Sequence, residues 1–127
     1  MKSRIIKTYP DGLILRRATP ADAEALSIFQ GTMHADEPDP FDPRIAAWVR
    51  DLMNGTHPTF KPADFTIIEE PSSEKIISSL CLIDQIWSYD GISFKVGRPE
   101  LVATLPEYRN RGFVRDQMYV VHQWSEE

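Results

Sequence analysis

The chain has 127 residues, enough for one domain with one sizeable core and little else. Its 42% hydrophobic and 26% charged residues, with all three aromatic types present, exclude a disordered or fibrous class. Fourteen basic against nineteen acidic residues give a formal charge of −5, a field that on average disfavours nucleic acid and anionic membrane as partners.

Met1 to Tyr9 holds no long apolar run of the signal-peptide kind, and no window approaches the length of a membrane span. Leu13-Ile14-Leu15-Arg16-Arg17 alternates as a strand does. Thr19-Pro20-Ala21-Asp22 follows, with threonine suited to cap a helix, proline to its first turn and aspartate to complete a capping box. Ala25, Leu26, Phe29 and Met33 recur at helical spacing, so a first helix is predicted from about Pro20 to the region of His34. A proline-rich acidic loop then leads to Asp42-Pro43, a second cap with proline, and to Ile45, Trp48, Val49, Leu52 and Met53, a second amphipathic helix stopped by Asn54-Gly55.

The period then changes to that of strands: Phe65-Thr66-Ile67-Ile68, a break at Pro71-Ser72-Ser73, and the long run Lys75 to Trp87. After the turn signal Asp90-Gly91 come Ile92 to Val96 and, beyond Gly97-Arg98-Pro99, Leu101 to Leu105, read as one interrupted strand or two short ones. From Gly112 onward, Val114, Gln117, Met118, Val120, Val121 and Trp124 give a third helical stripe. The expected fold is α/β in the α+β sense, with a mixed, mainly antiparallel sheet and flanking helices in the order β-α-α-β-β-β-α. One domain is expected over 1–127.

Chemistry is concentrated in Leu101-Val102-Ala103-Thr104-Leu105-Pro106-Glu107-Tyr108-Arg109-Asn110-Arg111-Gly112-Phe113-Val114, a strand, a basic turn and a helix start. At the first turn of a helix the backbone N–H groups lack intrahelical partners and the macrodipole is positive, so a phosphate placed there collects several hydrogen bonds. Gly112 permits close approach, and Arg109, Arg111 and Arg115 add cations suited to a pyrophosphate.

At these residues the sequence resembles the GNAT superfamily of acyl-CoA-dependent N-acyltransferases. The family signature of Arg or Gln, two residues, Gly, one residue, then Gly or Ala stands here as Arg109-x-x-Gly112-x-Val114, led in by Pro106-Glu107-Tyr108. Val114 departs from the pattern and implies a narrower cradle. The resemblance implies that acetyl-CoA is the co-substrate, with Arg109, Asn110, Arg111, Gly112, Phe113, Val114 and Arg115 around its phosphates and the backbone of Val102, Ala103 and Thr104 beside its pantetheine arm. Taken as residues alone, the side chains of Leu101 and Ala103 read as core members of an apolar strand, which leaves the backbone free for the other role.

A family member continues past this helix with a splayed strand, another helix and a final strand pair, and nothing after Glu127 encodes them. The expectation is therefore an amino-terminal portion of the fold, with little or no acetyltransferase activity by itself, completed in a longer enzyme, by another chain or as a homodimer. The second reading is a noncatalytic GNAT-like module that pairs with another chain through its last strand. The acceptor implied by the resemblance is a small-molecule amine or an amino terminus. Its ammonium must lose a proton before attack, and Glu100 is the candidate catalytic base, against the plainer reading of an exposed turn acid.

Asp36, Glu37, Asp39 and Asp42 form an acidic loop able to attract a cationic amine or simply solvated, with Asp42 as a cap. His34, His57 and His122 lack metal-ligand spacing and Cys81 is the only cysteine, so no metal and no disulfide framework are expected, which points to a reducing cytoplasm. Trp48, Trp87 and Trp124 read as core residues.

Overall fold

In the computed structural model, which describes residues 5–36, 38–56 and 60–125 (the side chains of 84–87, 95, 124 and 125 excepted), turn residues set where each strand begins. Tyr9 N–H donates to the Leu13 carbonyl at 2.8 Å and Gly12 N–H to the Tyr9 carbonyl at 2.9 Å. Gly12 sits at φ +91°, where a Cβ would strain the backbone. This turn joins β1 (Ile5–Thr8) to β2 (Ile14–Arg17) as an antiparallel hairpin. Strand β1 is an addition to the expected order, which becomes β-β-α-α-β-β-β-α. All four of its residues are exposed, so no alternation marks it in the sequence.

After β2, a single 3-10 turn at Pro20–Asp22 leads into α1 (Ala23–Met33). The Asp22 carboxylate accepts from Thr19 N–H at 2.7 Å, the reach-back half of a capping box. The buried face of α1 comprises Leu26, Phe29, Ser27, Gln30 and Gly31, whereas Ala25, expected on the apolar stripe, is exposed. Helix α2 (Pro43–Met53) is capped by Asp42, whose Oδ1 accepts from Arg44 N–H at 2.9 Å and Ile45 N–H at 3.4 Å. Burial opposes the Asp42 charge, but these backbone donors hold its carboxyl below the usual range. Ala46, Val49, Leu52 and Met53 make the buried stripe of α2. Trp48 is exposed, against the expectation of a core residue, because one residue's turn carries it about 100° from Val49. Trp87 and Trp124 fall outside the described side chains.

Strands β3 (Phe65–Glu70), β4 (Lys75–Tyr89) and β5 (Ile92–Thr104) complete one five-stranded sheet in the order β1-β2-β3-β4-β5, every neighbour antiparallel. The β4–β5 turn has Asp90 at φ +51° and Gly91 at φ +77°, the left-handed pair that a two-residue hairpin turn needs. Strand β5 is one continuous strand with a bulge. Ser79 pairs with Ala103 and Cys81 with Glu100, so Leu101 and Val102 together oppose Leu80, and Leu101 lies at φ +53°. A 3-10 turn at Pro106–Tyr108 then leads to α3 (Phe113–Ser125).

Alternation in β3 assigns the layers. Phe65 and Ile67 pack with Leu26, Phe29, Val49 and Leu52 of α1 and α2, whereas Ile68 packs with Phe113 and Val120 of α3. The helices thus cover opposite faces of the sheet. This explains why Leu13, Ile14, Leu15 and Arg16 are all buried although the segment alternates on paper. Cys81 is fully buried, and desolvation pushes its thiol pKa up.

Polar groups lock both layers. Arg16, 1% exposed, gives Nε to Glu69 at 2.8 Å and both terminal nitrogens to Asp22 at 2.8 Å. Burial disfavours its charge, and the two carboxylates outweigh that and raise its pKa. On the other face Gln117, 0% exposed, gives Nε2 to Ser78 Oγ at 2.7 Å and accepts from Thr66 Oγ1 at 2.8 Å, while Ser78 Oγ and Thr104 Oγ1 share a 2.7 Å bond. This chain ties α3 to β3, β4 and β5. Gln117→Leu is expected to lower unfolding free energy by about 1–3 kcal/mol, since it strips buried hydroxyls of a partner. Urea denaturation measures it.

Candidate functional site

The site grows from the end of β5. Backbone pairing continues to the last residue of the strand and just past it, with Leu105 N–H donating to the Ile77 carbonyl at 2.9 Å. The chain then turns through Pro106–Tyr108 and reaches Asn110 at φ +67° and Gly112 at φ +79°. Two left-handed residues so close together fold the segment back to start α3. Asparagine tolerates that region, and glycine occupies it without strain.

The hydrogen bond from Asp116 N–H to the Gly112 carbonyl, 3.0 Å, closes the first turn of α3. The N–H groups of Phe113, Val114 and Arg115 therefore precede any intrahelical acceptor, at the positive end of the helix dipole. A Cβ built on Gly112 would lie 2.7 Å from Arg115 Nη2, so the absent side chain is what lets the guanidinium lie over the turn.

The three arginines differ in their surroundings. Arg111 forms an ion pair with Asp11 of the β1–β2 turn, and its guanidinium lies 5.0 Å from the Phe113 ring centroid and 5.6 Å from that of Tyr108. The Arg111 bond is also the first cause of the lowered Asp11 pKa. Arg111 thus braces the loop against the sheet. Arg109 is exposed at the turn, and Arg115 is exposed with its Nε 4.0 Å from Asp116 Oδ1.

Asp116 is directed to β1 by Tyr9 Oη at 2.8 Å and Lys7 Nζ at 3.0 Å. Burial opposes its charge, yet those donors keep its carboxyl below the usual range. Burial and the same carboxylate push the Tyr9 phenol up.

A cavity of about 620 Å³ opens along this loop. Its wall includes Val102, Ala103 and Thr104 from β5 and every residue from Arg109 to Arg115. Tyr108, Met33 and His34 complete it, and among the described residues no Asp or Glu lines it. The strand and loop residues expected around a CoA co-substrate thus share one concave surface. Val102 is exposed there, while Ala103 is buried in the core between β5 and α1. Val114 is half-buried and packs with Val121 and Met118 below the cradle, as well as lining it.

Glu100 is not brought into this wall. Its carboxylate forms an ion pair with Arg98 two residues back on the same strand. Glu107 is exposed, and Tyr108 is half-buried against the α3-side core. Met33 and His34 were not readable as site residues, because α1 reaches the cavity only through packing on β5. In the acidic loop, Asp36, Asp39 and Asp42 line a separate cavity of about 290 Å³ with Phe41 and Arg44. Glu37 and His57 lie outside the described residues, and His122 is exposed on α3. Among the described residues no cluster of three His, Cys, Asp or Glu could hold a metal ion, and no helix is long and apolar enough to cross a membrane.

Comparison with known proteins supports the fold. The structure superposes on a possible acetyltransferase from Clostridium difficile 630 with a TM-score of 0.62 at 14% identity, over 91% of this chain and 72% of that one. It superposes on a probable N-acyltransferase from Enterococcus faecalis V583 with a TM-score of 0.59 at 14% identity, over 89% of this chain but 27% of that one. At such identity these likenesses establish the fold. No curated protein matches the sequence. The family model for the acetyltransferase (GNAT) domain matches residues 15–126, which takes in β2 through α3, the bulged strand, the basic turn and the cavity they form. The chain therefore belongs to the GNAT acetyltransferase family.

Proposed function

We propose that the chain carries the acetyl-CoA-binding part of an N-acetyltransferase, whose acceptor is a primary amine of a small molecule or an amino terminus. The observation that supports this reading is the single cavity shared by Val102–Thr104 and Arg109–Arg115. A pyrophosphate at the start of α3 would accept from the N–H groups of Gly112 through Arg115, with the Arg109 and Arg115 side chains adding charge. Family membership and the N–H groups of Phe113, Val114 and Arg115, which precede any intrahelical acceptor, both favour that ligand. Strand β5, an edge in the described sheet, offers backbone groups beside Val102 to an extended amide-bearing arm.

The chemistry asked of the site is modest. The amine nitrogen attacks the thioester carbonyl, so the protein must hold the thioester in place and remove a proton from the ammonium. Completion by a further strand, from a longer protein or another chain, fits this reading, since the outer side of β5 is unpaired in the described sheet.

Hydrogen exchange tests the binding site at residue resolution. Coenzyme A is expected to slow exchange of the amides of Gly112 to Asp116, whereas phosphate-free pantetheine is not. Equal protection by both, or by neither, would contradict a phosphate cradle at α3.

A further inference from the structure

The bulge in β5 is held from outside the sheet. Ser79 pairs with Ala103 and Cys81 with Glu100, which leaves one residue too many on β5 between them, and Leu101 takes φ +53° to accommodate it. A leucine is strained in that region and stays there only where its surroundings fix it. Two contacts do so. The Leu101 side chain is buried in the core layer that also holds Leu26 and Phe29 of α1, and the Leu101 carbonyl accepts from Gln30 Nε2 at 2.8 Å. Gln30 is 0% exposed and does not line the cavity. Its Oε1 has no partner among the described residues, so the side chain forgoes what leucine or methionine would gain from burial in the same place. What glutamine adds at this position is the donor.

The bulge decides what the next residues present. Val102 lines the cavity and is exposed, whereas Leu101 and Ala103 belong to the core on the α1 side. Drawing the extra residue back into the ladder moves one flank of β5 by one residue, and such a slip exchanges the two faces of a strand. The N–H and C=O groups that point away from β4 alternate along the strand in the same way, so they change with it.

We propose that Gln30 is a positioning residue: by holding the Leu101 carbonyl it fixes the bulge, and so sets which backbone groups of residues 102–104 meet the amide-bearing arm of coenzyme A. The proposal rests on the acetyl-CoA reading above, and it asks for no contact between Gln30 and the ligand. Arm and nucleotide are then read by separate parts of the fold, the arm by β5 under the hold of α1 and the nucleotide by the basic turn ahead of α3.

Titration with coenzyme A and with 3′-phospho-ADP, its nucleotide half without the arm, separates the two. The parent is expected to bind coenzyme A about tenfold or more tighter than 3′-phospho-ADP. Gln30→Met fills the same space without a donor, and in Gln30→Asn the amide falls one methylene short. In both, that ratio is expected to collapse to about twofold or less, with 3′-phospho-ADP affinity kept within about twofold of the parent. Val49→Ala opens the same core layer from α2, so it controls for destabilisation alone and should keep the parent's ratio. In the unliganded protein, hydrogen exchange of the amides of residues 101–104, measured against those of β3, is expected to quicken about tenfold or more in both Gln30 variants and not in Val49→Ala. Gln30 variants that keep the parent's ratio, or that leave this exchange unchanged, would overturn the proposal, and so would loss of the ratio in Val49→Ala. A parent that binds both ligands equally would also overturn it, while leaving the phosphate cradle standing. A parent that binds neither would sink the acetyl-CoA reading and the proposal with it, a failure that shows in the parent alone.

Discussion

Arg16→Met is expected to remove about 3–5 kcal/mol from the unfolding free energy, as the loss of one partner from a buried ion pair does. The reason lies in the complete use of the guanidinium. Nε donates to Glu69 Oε1, Nη1 to Asp22 Oδ2 and the Arg17 carbonyl, and Nη2 to Asp22 Oδ1 and Glu69 Oε2, which engages all five N–H groups. Glu69 is 1% exposed, so methionine at position 16 leaves a carboxylate in the core with its main counter-charge gone. Urea denaturation of the single variant should show this loss. The pair Arg16→Met with Glu69→Leu should recover much of it, because replacing both charges removes the desolvation cost.

A pH dependence follows with a definite sign. The Asp22 pKa is lowered: burial opposes its charge, and Arg16 and Thr19 overcome that. Its contribution is therefore present above the ordinary aspartate range and is lost as pH falls through the lowered folded value. Arg16→Met should flatten that acid slope. Since the triad anchors the start of α1, the loss should also loosen the helix whose far end holds Gln30 and His34.

Gly112→Asp is expected to weaken acetyl-CoA binding about 100-fold or more while costing only about 1–2 kcal/mol of stability. Aspartate tolerates φ near +79° better than most residues, so the fold should persist. Its carboxylate, however, would stand where a phosphate must accept from the first turn of α3, close to the Arg115 guanidinium that already lies 2.7 Å from the ideal Cβ position. An internal anion would then occupy the donors and repel the ligand's own charge. Fluorescence or calorimetric titration measures the affinity, and thermal unfolding measures the cost. Gly112→Asp binding as tightly as the parent would argue against phosphate at this turn.

Local signals were readable where chemistry and position coincide. Asp42-Pro43 reads as a cap and first turn, and Asp42 does accept from Arg44 and Ile45; Asp90-Gly91 reads as a hairpin turn, and both residues take positive φ. The segment Arg109 to Arg115 reads as a helix-start cradle, and it does run into the first turn of α3 and line a cavity. Strand β1 was not readable, because its four exposed residues carry no period, although Pro10-Asp11-Gly12 ahead of Leu13 was a usable turn signal. Trp48 misleads because type alone suggests burial, while the helical angle turns it to solvent. The Arg16–Glu69 pair spans 53 positions and the Gln30–Leu101 bond spans 71, distances at which only tertiary packing decides the partner. His34 belongs to the same class: nothing beside it in sequence says that a cavity wall lies there. A charged residue inside an apolar strand, such as Arg16 after Leu13-Ile14-Leu15 or Glu69 after Ile67-Ile68, is the one hint the sequence holds of the buried triad.

The most direct test is calorimetric titration of the chain with acetyl-CoA, run beside dephosphorylated analogues and the Arg109→Ala variant. Saturable binding that requires the pyrophosphate and weakens about tenfold or more in Arg109→Ala is the result predicted for a working cradle. Binding indifferent to the pyrophosphate and to Arg109, or no binding at all, would contradict the assignment of Arg109–Arg115 as the acetyl-CoA site of this chain.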